Sequence, residues 1–214
     1  MGHLETNAVT VLAALQLGMG VINFIINSVS FGFLSGVDTL VSQAYGAGNL
    51  LRVGTILQRA ILILCLVLLL QYSILSQTVS LLHLLHQPPC VIEEVGKFLE
   101  IFYAGIPAQI FQYLLTRYYQ AQGIVIPFIL TGIIGNVVNV VANYIFVIVL
   151  NLGIRGSALS ISLCYYSQLI AILILGKVLK LNIKTWGGWS RDCLNGWKEF
   201  LSLAVPTLKR FPAP

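Results

Sequence analysis

Residues 6–37 read TNAVTVLAALQLGMGVINFIINSVSFGFLSGV and contain no Asp, Glu, Lys or Arg. An α-helix needs about 20 predominantly apolar residues to cross the hydrocarbon core of a bilayer. This stretch therefore predicts a membrane-spanning helix, which we place at 8–34. A cleaved signal peptide is not expected, because no basic segment precedes the apolar run and the run is too long.

Four more apolar stretches follow along the chain. The second is ended near Leu82 by His83, His86 and the Pro88-Pro89 pair. The third contains Pro107, which should kink its helix by removing one backbone hydrogen bond. The pattern predicts an all-α, polytopic membrane bundle with spans near 8–34, 60–82, 98–120, 124–150 and 156–176.

The composition supports a multi-pass integral membrane protein in a lipid bilayer. Of the 214 residues, 57% are hydrophobic and 9% are charged, and the mean hydropathy is +0.90. A soluble domain carries about 25% charged residues. The net charge of +5 includes no dense basic run, so we expect no nucleic-acid partner.

The basic residues predict the orientation of the spans. Five spans alternate sides, and cytoplasmic loops carry an excess of Lys and Arg. One side holds only Lys97 and Arg155. We therefore expect the amino terminus outside and the cytoplasm on the side that carries Arg52, Arg59, Arg117, Lys177, Lys180, Lys184, Arg191 and Lys198.

Both ends of the sequence depart from a complete bundle. An external amino terminus without a signal peptide is expected of a chain that lacks most of a preceding helix. A further apolar run begins near Phe200 and stops at Lys209-Arg210, and about ten residues cannot cross a bilayer. We interpret 1–208 as one domain, 200–208 as the start of a further helix, and 209–214 as an aberrant tail.

Polar residues inside the spans are the candidate functional residues, because each needs a partner within the bundle or a wet cavity. Asn23 and Asn27 share one face of the first span, and Asn139 and Asn143 share one face of the fourth with Asn136. Gln109, with Gln112 and Tyr113, forms a weaker set on the third span. These side chains either line a substrate path or act as hydrogen-bonding contacts between helices.

No Asp, Glu, Lys or Arg lies well inside a predicted span. Proton coupling usually needs an intramembrane carboxylate, and Asp38 is the nearest candidate, just past the first span. The favoured interpretation of Asp38 is a cap for the segment that begins at Thr39.

Neither a metal centre, a cofactor nor an enzyme active site is predicted. The four cysteines include no CxxC pair, and the metal-compatible residues between His83 and Glu94 lack a recognised ligand spacing. Gly46-Ala47-Gly48 lacks the rest of a nucleotide-binding loop and predicts a tight turn. No Ser-His-Asp or Cys-His arrangement supports a hydrolase.

Five groups of residues, taken in their order and spacing along the chain, indicate a family resemblance. They are residues 36–48 (GVDTLVSQAYGAG) with Gln58-Arg59, Pro107 followed by 118–127 (YYQAQGIVIP), 135–144 (GNVVNVVANY), 153–158 (GIRGSA) and 185–190 (TWGGWS). In these the sequence resembles the amino-terminal lobe of the multidrug and toxin extrusion (MATE) family, closest to its animal organic-cation exporters.

The resemblance implies one lobe of a twelve-helix, two-lobe transporter that exports organic cations or drugs in exchange for protons or sodium. The five spans then correspond to helices two to six of the family. Asn23 falls where animal relatives place an asparagine that faces substrate. Asn139 and Asn143 fall where prokaryotic relatives have an Asn and an Asp for cation or proton binding; here the second is an asparagine, which cannot titrate.

The leading hypothesis is a multidrug antiporter, present as a fragment, in the plasma membrane, with protons as the coupling ion. Asn23, Asn27, Gln109, Asn139 and Asn143 are its expected path residues. The alternative is a truncated, non-transporting membrane protein that associates with full-length copies. A flippase for lipid-linked sugars is disfavoured, because its phosphate substrates call for cationic residues in the cavity.

Overall fold

The computed structural model describes residues 2–181, 185–190, 193 and 197, and every regular element among them is helical. Short turns connect most of the helices, and two of the long helices continue through π-helical turns. In chain order the helices are α1 (Gly2–Ile22), α2 (Ser28–Gly46), α3 (Leu50–Leu75), α4 (Thr78–Leu84), α5 (Pro89–Phe102), α6 (Ile106–Gln120), α7 (Ile126–Asn143) and α8 (Gly153–Val178).

Five helical stretches of the described chain are long and apolar enough to cross a membrane, which confirms the predicted number. The first joins α1 to α2, the third joins α5 to α6, and the fourth extends α7. Their bounds are Val11–Gly46, Leu50–Leu75, Pro89–Gln120, Ile126–Val149 and Gly153–Val178.

The helices of the first three spans extend beyond the sequence-based bounds. The first ends at Gly46 instead of 34, the second begins at Leu50 instead of 60, and the third begins at Pro89 instead of 98. The sequence-based bounds were placed near charged residues. A helix can continue past a charged residue once it has left the bilayer, so these bounds are too short. The 36 residues of the first span are about 54 Å long, whereas the hydrocarbon core is about 30 Å thick.

The second span also ends earlier than predicted. Leu75 is the last residue of α3, and the predicted end near Leu82 falls in the separate short helix α4. The backbone turns at Ser76 and Gln77, where the Gln77 N–H bonds to the carbonyl of Ile74 at 3.1 Å. The apolar pattern continues across this turn, and for that reason the sequence did not reveal it.

Helix α8 has a central place in the bundle. It packs against α5, α6 and α7, while α2 packs against α3 and α6, and α1 against α5. Small residues permit the closest approaches: a Cβ on Gly135 of α7 would overlap the Gln168 side chain of α8. This contact fixes the position of α7, which carries Asn139 and Asn143.

Pro107 interrupts the third span, as its sequence predicts. The chain forms a 3-10 turn at Tyr103–Gly105 between α5 and α6. Proline has no N–H to donate to the carbonyl four residues earlier, which is that of Tyr103. That carbonyl accepts the Ile106 N–H within the 3-10 turn and a second hydrogen bond from the Tyr72 hydroxyl on α3 at 2.6 Å.

Asp38 is not a helix cap, contrary to the sequence-based interpretation. It lies inside α2, and its Oδ2 is 3.3 Å from Nη1 of Arg117 on α6. The helix after α2 is capped by Asn49, whose side chain accepts a hydrogen bond from the Arg52 N–H at 3.1 Å. The tight turn expected at residues 46–48 is present, with Gly48 at φ +74°.

The segment 185–190 after α8 packs on the amino-terminal part of α3. Gln58 Nε2 donates to the Gly188 carbonyl at 2.6 Å, and Gln58 Oε1 accepts from the Ser190 N–H at 3.1 Å. The Tyr118 hydroxyl at the end of α6 bonds to Thr185 Oγ1 at 2.8 Å. The predicted helix start at 200–208 and the tail at 209–214 lie outside the described residues.

Candidate functional site

The first span places two asparagines together at a π-helical turn. Residues Asn23–Asn27 form this first π-turn between α1 and α2, and it is closed by the Ser28 N–H bonding to the Asn23 carbonyl. Asn27 Nδ2 donates to Asn23 Oδ1 at 2.6 Å. Asn23 is exposed and Asn27 is half-buried, so the pair leads from the surface into the bundle.

Gln109 joins three of the five spans. Its Nε2 lies 3.1 Å from Asn27 Oδ1 on the first span and 3.2 Å from the Tyr165 hydroxyl on the fifth. The side chain is 2% exposed, and its Oε1 has no hydrogen-bond partner among the described residues. The three path residues predicted on the first and third spans therefore form one hydrogen-bonded network.

Tyr165 belongs to this site and was missed by the sequence analysis. Its ring meets Tyr113 edge to face at 6.2 Å and Phe102 at 6.4 Å, measured between ring centroids. Tyr113 stacks in turn on Phe31 at 5.4 Å. The available signal was the spacing of Cys164, Tyr165 and Gln168 in the charge-free stretch 156–176, which puts polar atoms along one side.

The two asparagines predicted on the fourth span also form a pair. Asn143 Nδ2 lies 3.0 Å from the Asn139 carbonyl and 3.2 Å from Asn139 Oδ1. Both side chains are half-buried. Among the described residues no hydrogen bond connects this pair to Asn23, Asn27 or Gln109.

A cavity of about 350 Å³ connects the two parts of the candidate site, because both Asn139 and Tyr165 line it. It lies between α6, α7 and α8. Its complete lining is Gln112, Tyr113, Phe128, Thr131, Gly132, Asn139, Ile161, Cys164, Tyr165 and Gln168.

The cavity lining is uncharged and mixes amide and hydroxyl groups with apolar and aromatic side chains. Gln112, which is 5% exposed, donates from Nε2 to Thr116 Oγ1 at 3.1 Å, while its Oε1 has no partner among the described residues. Amide oxygens, hydroxyls and aromatic rings are what the cavity offers to a ligand. Aromatic faces and carbonyl dipoles attract cations, so the lining suits a cationic or neutral organic molecule.

Two acidic side chains and one basic side chain form an ion-paired cluster on α5, where Lys97 Nζ is 2.8 Å from Glu93 Oε1 and 2.6 Å from Glu94 Oε1. Among the described residues no three His, Cys, Asp or Glu side chains lie together as a metal site would require.

A family model and several curated proteins match the chain. The MatE family model matches residues 1–145. Multidrug and toxin extrusion protein 2 of Oryctolagus cuniculus is 45% identical over 198 residues, which is 92% of this chain and 33% of that protein. Multidrug and toxin extrusion protein 1 of Homo sapiens is 42% identical over 97% of this chain and 35% of its own length. The chain thus spans about a third of the length of these relatives.

Solved structures share the fold. A eukaryotic MATE transporter, AtDTX14, superposes with a TM-score of 0.86 at 23% identity, over 92% of this chain and 44% of that chain. A MATE structure in the bent conformation superposes with a TM-score of 0.80 at 19% identity, over 93% and 45% of the two chains. At these identities the similarity concerns the arrangement of the helices.

Proposed function

The chain belongs to the MATE family, and on this premise we propose that it forms the amino-terminal lobe of a multi-pass transporter that exports organic cations and xenobiotics in exchange for protons. The observation that carries the proposal is the uncharged, partly aromatic cavity of about 350 Å³ beside the network of Asn27, Gln109 and Tyr165. The family is one of transporters, in agreement with the expectation that the chain is not an enzyme.

The substrate class follows from the chemistry of the site. The amides of Asn23, Asn27 and Gln109 form a hydrogen-bonded chain that reaches the Tyr165 hydroxyl, and the Tyr165 ring packs against that of Tyr113. A hydrated inorganic ion gains little from aromatic faces, whereas an organic cation gains both cation–π attraction and apolar contact. Asn139 and Asn143 extend this uncharged lining on the fourth span.

Proton coupling requires a group that titrates, and the amides of this site do not. We assign coupling to carboxylates elsewhere in the transporter, since the relatives are about three times as long as this chain. The lobe then contributes neutral contacts to the substrate. Alternating access arises as this lobe moves against a second repeat around the site, which is general for transporters built from repeats.

Location and orientation are part of the proposal. The excess of basic residues at the Arg52, Arg117 and Lys177 end of the bundle supports a cytoplasmic position for that end. A drug exporter with this orientation in the plasma membrane moves its substrates out of the cell. No observation on the described residues favours the alternative of a non-transporting partner of full-length copies.

The test is transport by the longest natural form of the protein that contains this chain, with tetraethylammonium as the probe. Asn23→Ala should reduce uptake or raise KM, because Asn23 lies at the exposed edge of the path. Ser73→Ala is the control, since Ser73 lies outside the candidate path, is exposed and bonds to the Leu69 carbonyl of its own helix. Unaltered uptake by Asn23→Ala would count against the site assignment.

A further inference from the structure

Gln71, on α3, contacts the first π-turn from outside the candidate site. Its Nε2 lies 3.1 Å from the carbonyl oxygen of Ile26, 3.2 Å from that of Ile25 and 3.3 Å from Ser30 Oγ. The side chain is 2% exposed. An amide with two N–H groups thus faces three oxygens of the neighbouring span.

These oxygens belong to the part of the first span where the regular helix is broken. A π-turn replaces the i to i−4 hydrogen bonds with i to i−5 bonds and is rare inside helices. The carbonyls around such a turn lose regular partners, and in hydrocarbon a carbonyl without a donor is costly. Gln71 supplies the donors from another helix.

The first π-turn determines the geometry of the site. Asn23 and Asn27 are its first and last residues, and Asn27 Oδ1 accepts the bond from Gln109. If residues 23–27 returned to regular α-helix, every residue on one side of the turn would rotate relative to the other. The contact between Asn27 and Gln109 depends on that rotation.

We propose that Gln71 is a positioning residue that holds the first π-turn open and thereby keeps Asn23 and Asn27 aligned with Gln109. The inference rests on the proposed function, because the alignment matters for a substrate that passes these amides. Gln71 itself does not touch the path; it acts through the backbone of Ile25 and Ile26.

The test combines hydrogen–deuterium exchange with transport kinetics on the longest natural form that contains this chain. Gln71→Met keeps the length of the side chain and removes both donors. Exchange of the segment 22–30 should accelerate about tenfold, the scale of one lost hydrogen bond. The second π-turn, Tyr144–Val149, has no buried residue and serves as the internal reference, whose exchange should not change.

Transport supplies the second readout. Gln71→Met should raise KM for tetraethylammonium several-fold with less effect on the maximal rate, because the contact geometry changes while the transporter still cycles. Ser30→Ala should change little, since the Ile25 and Ile26 carbonyls keep their donor. Gln77→Met, at an exposed glutamine in the turn just after the same span, is the control for the substitution itself.

The outcomes distinguish two claims: that Gln71 stabilises the first π-turn, and that this turn aligns the amides of the site. Unchanged exchange of 22–30 in Gln71→Met overturns the role of Gln71, and faster exchange with unchanged KM overturns its effect on the site. If Gln71→Met does not fold, Gln71→Asn replaces it, because its amide is one methylene too short to reach all three oxygens. A wild-type protein that moves no organic cation overturns the proposed function, and exchange alone then decides whether Gln71 holds the turn.

Discussion

Gln109 Nε2 donates to Asn27 Oδ1 at 3.1 Å, so the third span is tied to the first through two amide side chains. Both residues are uncharged at every pH at which the protein is folded. The link therefore does not respond to protonation, in contrast to an ion pair at the same place. A substrate that competes for either amide must break or share this bond.

Gln109→Leu should lower the stability of the bundle. The substitution removes the bonds to Asn27 and Tyr165, and we expect a loss of about 1–3 kcal/mol, because Asn27 Oδ1 loses its donor in a half-buried position. Thermal unfolding in detergent measures the change.

Gln112→Leu is the control for Gln109→Leu. Gln112 is also buried on α6, but its side chain donates to Thr116 on the same helix, so its loss should not weaken the contact between spans. Equal destabilisation by the two variants would contradict a connecting role for Gln109.

Tyr165 should contribute through its ring more than through its hydroxyl. Tyr165→Phe removes the bond to Gln109 but keeps the edge-to-face contacts with Tyr113 and Phe102. Tyr165→Leu removes the aromatic ring as well, and with it the cation–π attraction, which is about 0.5–2 kcal/mol.

The measurement for Tyr165 is the KM for tetraethylammonium uptake in both variants. We expect Tyr165→Leu to raise KM clearly more than Tyr165→Phe does. A larger effect of Tyr165→Phe would show that the hydroxyl, and not the ring, is the group that meets the substrate.

The sequence was sufficient to predict which stretches cross the membrane and which amides share a helix face. Apolar stretches of about 20 residues with few charges identify spans, and the spacing of Asn23 with Asn27 or Asn139 with Asn143 is a local property of a helix. Pro107 likewise acts on its own backbone, so the break before α6 was predictable.

Contacts between distant segments were not predictable in the same way. Tyr165 joins the site because α8 packs on α6. Gln109 and Tyr165 are 56 positions apart in the sequence, and no local sequence pattern predicts that packing. The π-turns and the position of Asp38 depend on neighbouring helices too. A carboxylate at the edge of an apolar run looks like a cap until Arg117 is seen beside it.

Gln58→Leu should release the segment 185–190 from α3. Gln58 is 1% exposed and holds the segment by two hydrogen bonds, to the Gly188 carbonyl and from the Ser190 N–H. The three tryptophans of the chain are Trp186, Trp189 and Trp197, so intrinsic fluorescence reports on this region alone. We expect a shift of the emission maximum and faster proteolysis between residues 185 and 190.

A steric variant tests the same contact without removing a hydrogen bond. A Cβ on Gly54 would overlap the Thr185 carbonyl, whereas a Cβ on Gly46 would meet nothing within 4 Å. Gly54→Ala should therefore reproduce the fluorescence change of Gln58→Leu, and Gly46→Ala should not. Identical spectra for Gly54→Ala and the wild type would mean that the segment does not rest on α3.

Tyr72→Phe should destabilise the break in the third span. The Tyr72 hydroxyl donates to the Tyr103 carbonyl at 2.6 Å, and the Tyr103 hydroxyl donates back to the Leu75 carbonyl at 3.0 Å. Removing one hydroxyl should cost about 1 kcal/mol, because the Tyr103 carbonyl then keeps only the Ile106 N–H as a donor and Pro107 has no N–H to add. Tyr45→Phe, at an exposed position, is the control, and both variants are compared with the wild type by thermal unfolding.

Combining Tyr72→Phe with Pro107→Ala tests the physical reason. If Pro107→Ala restores the stability of Tyr72→Phe, the hydroxyl acts as the substitute for the N–H that Pro107 lacks. If it does not, the tyrosine stabilises the bundle by packing instead.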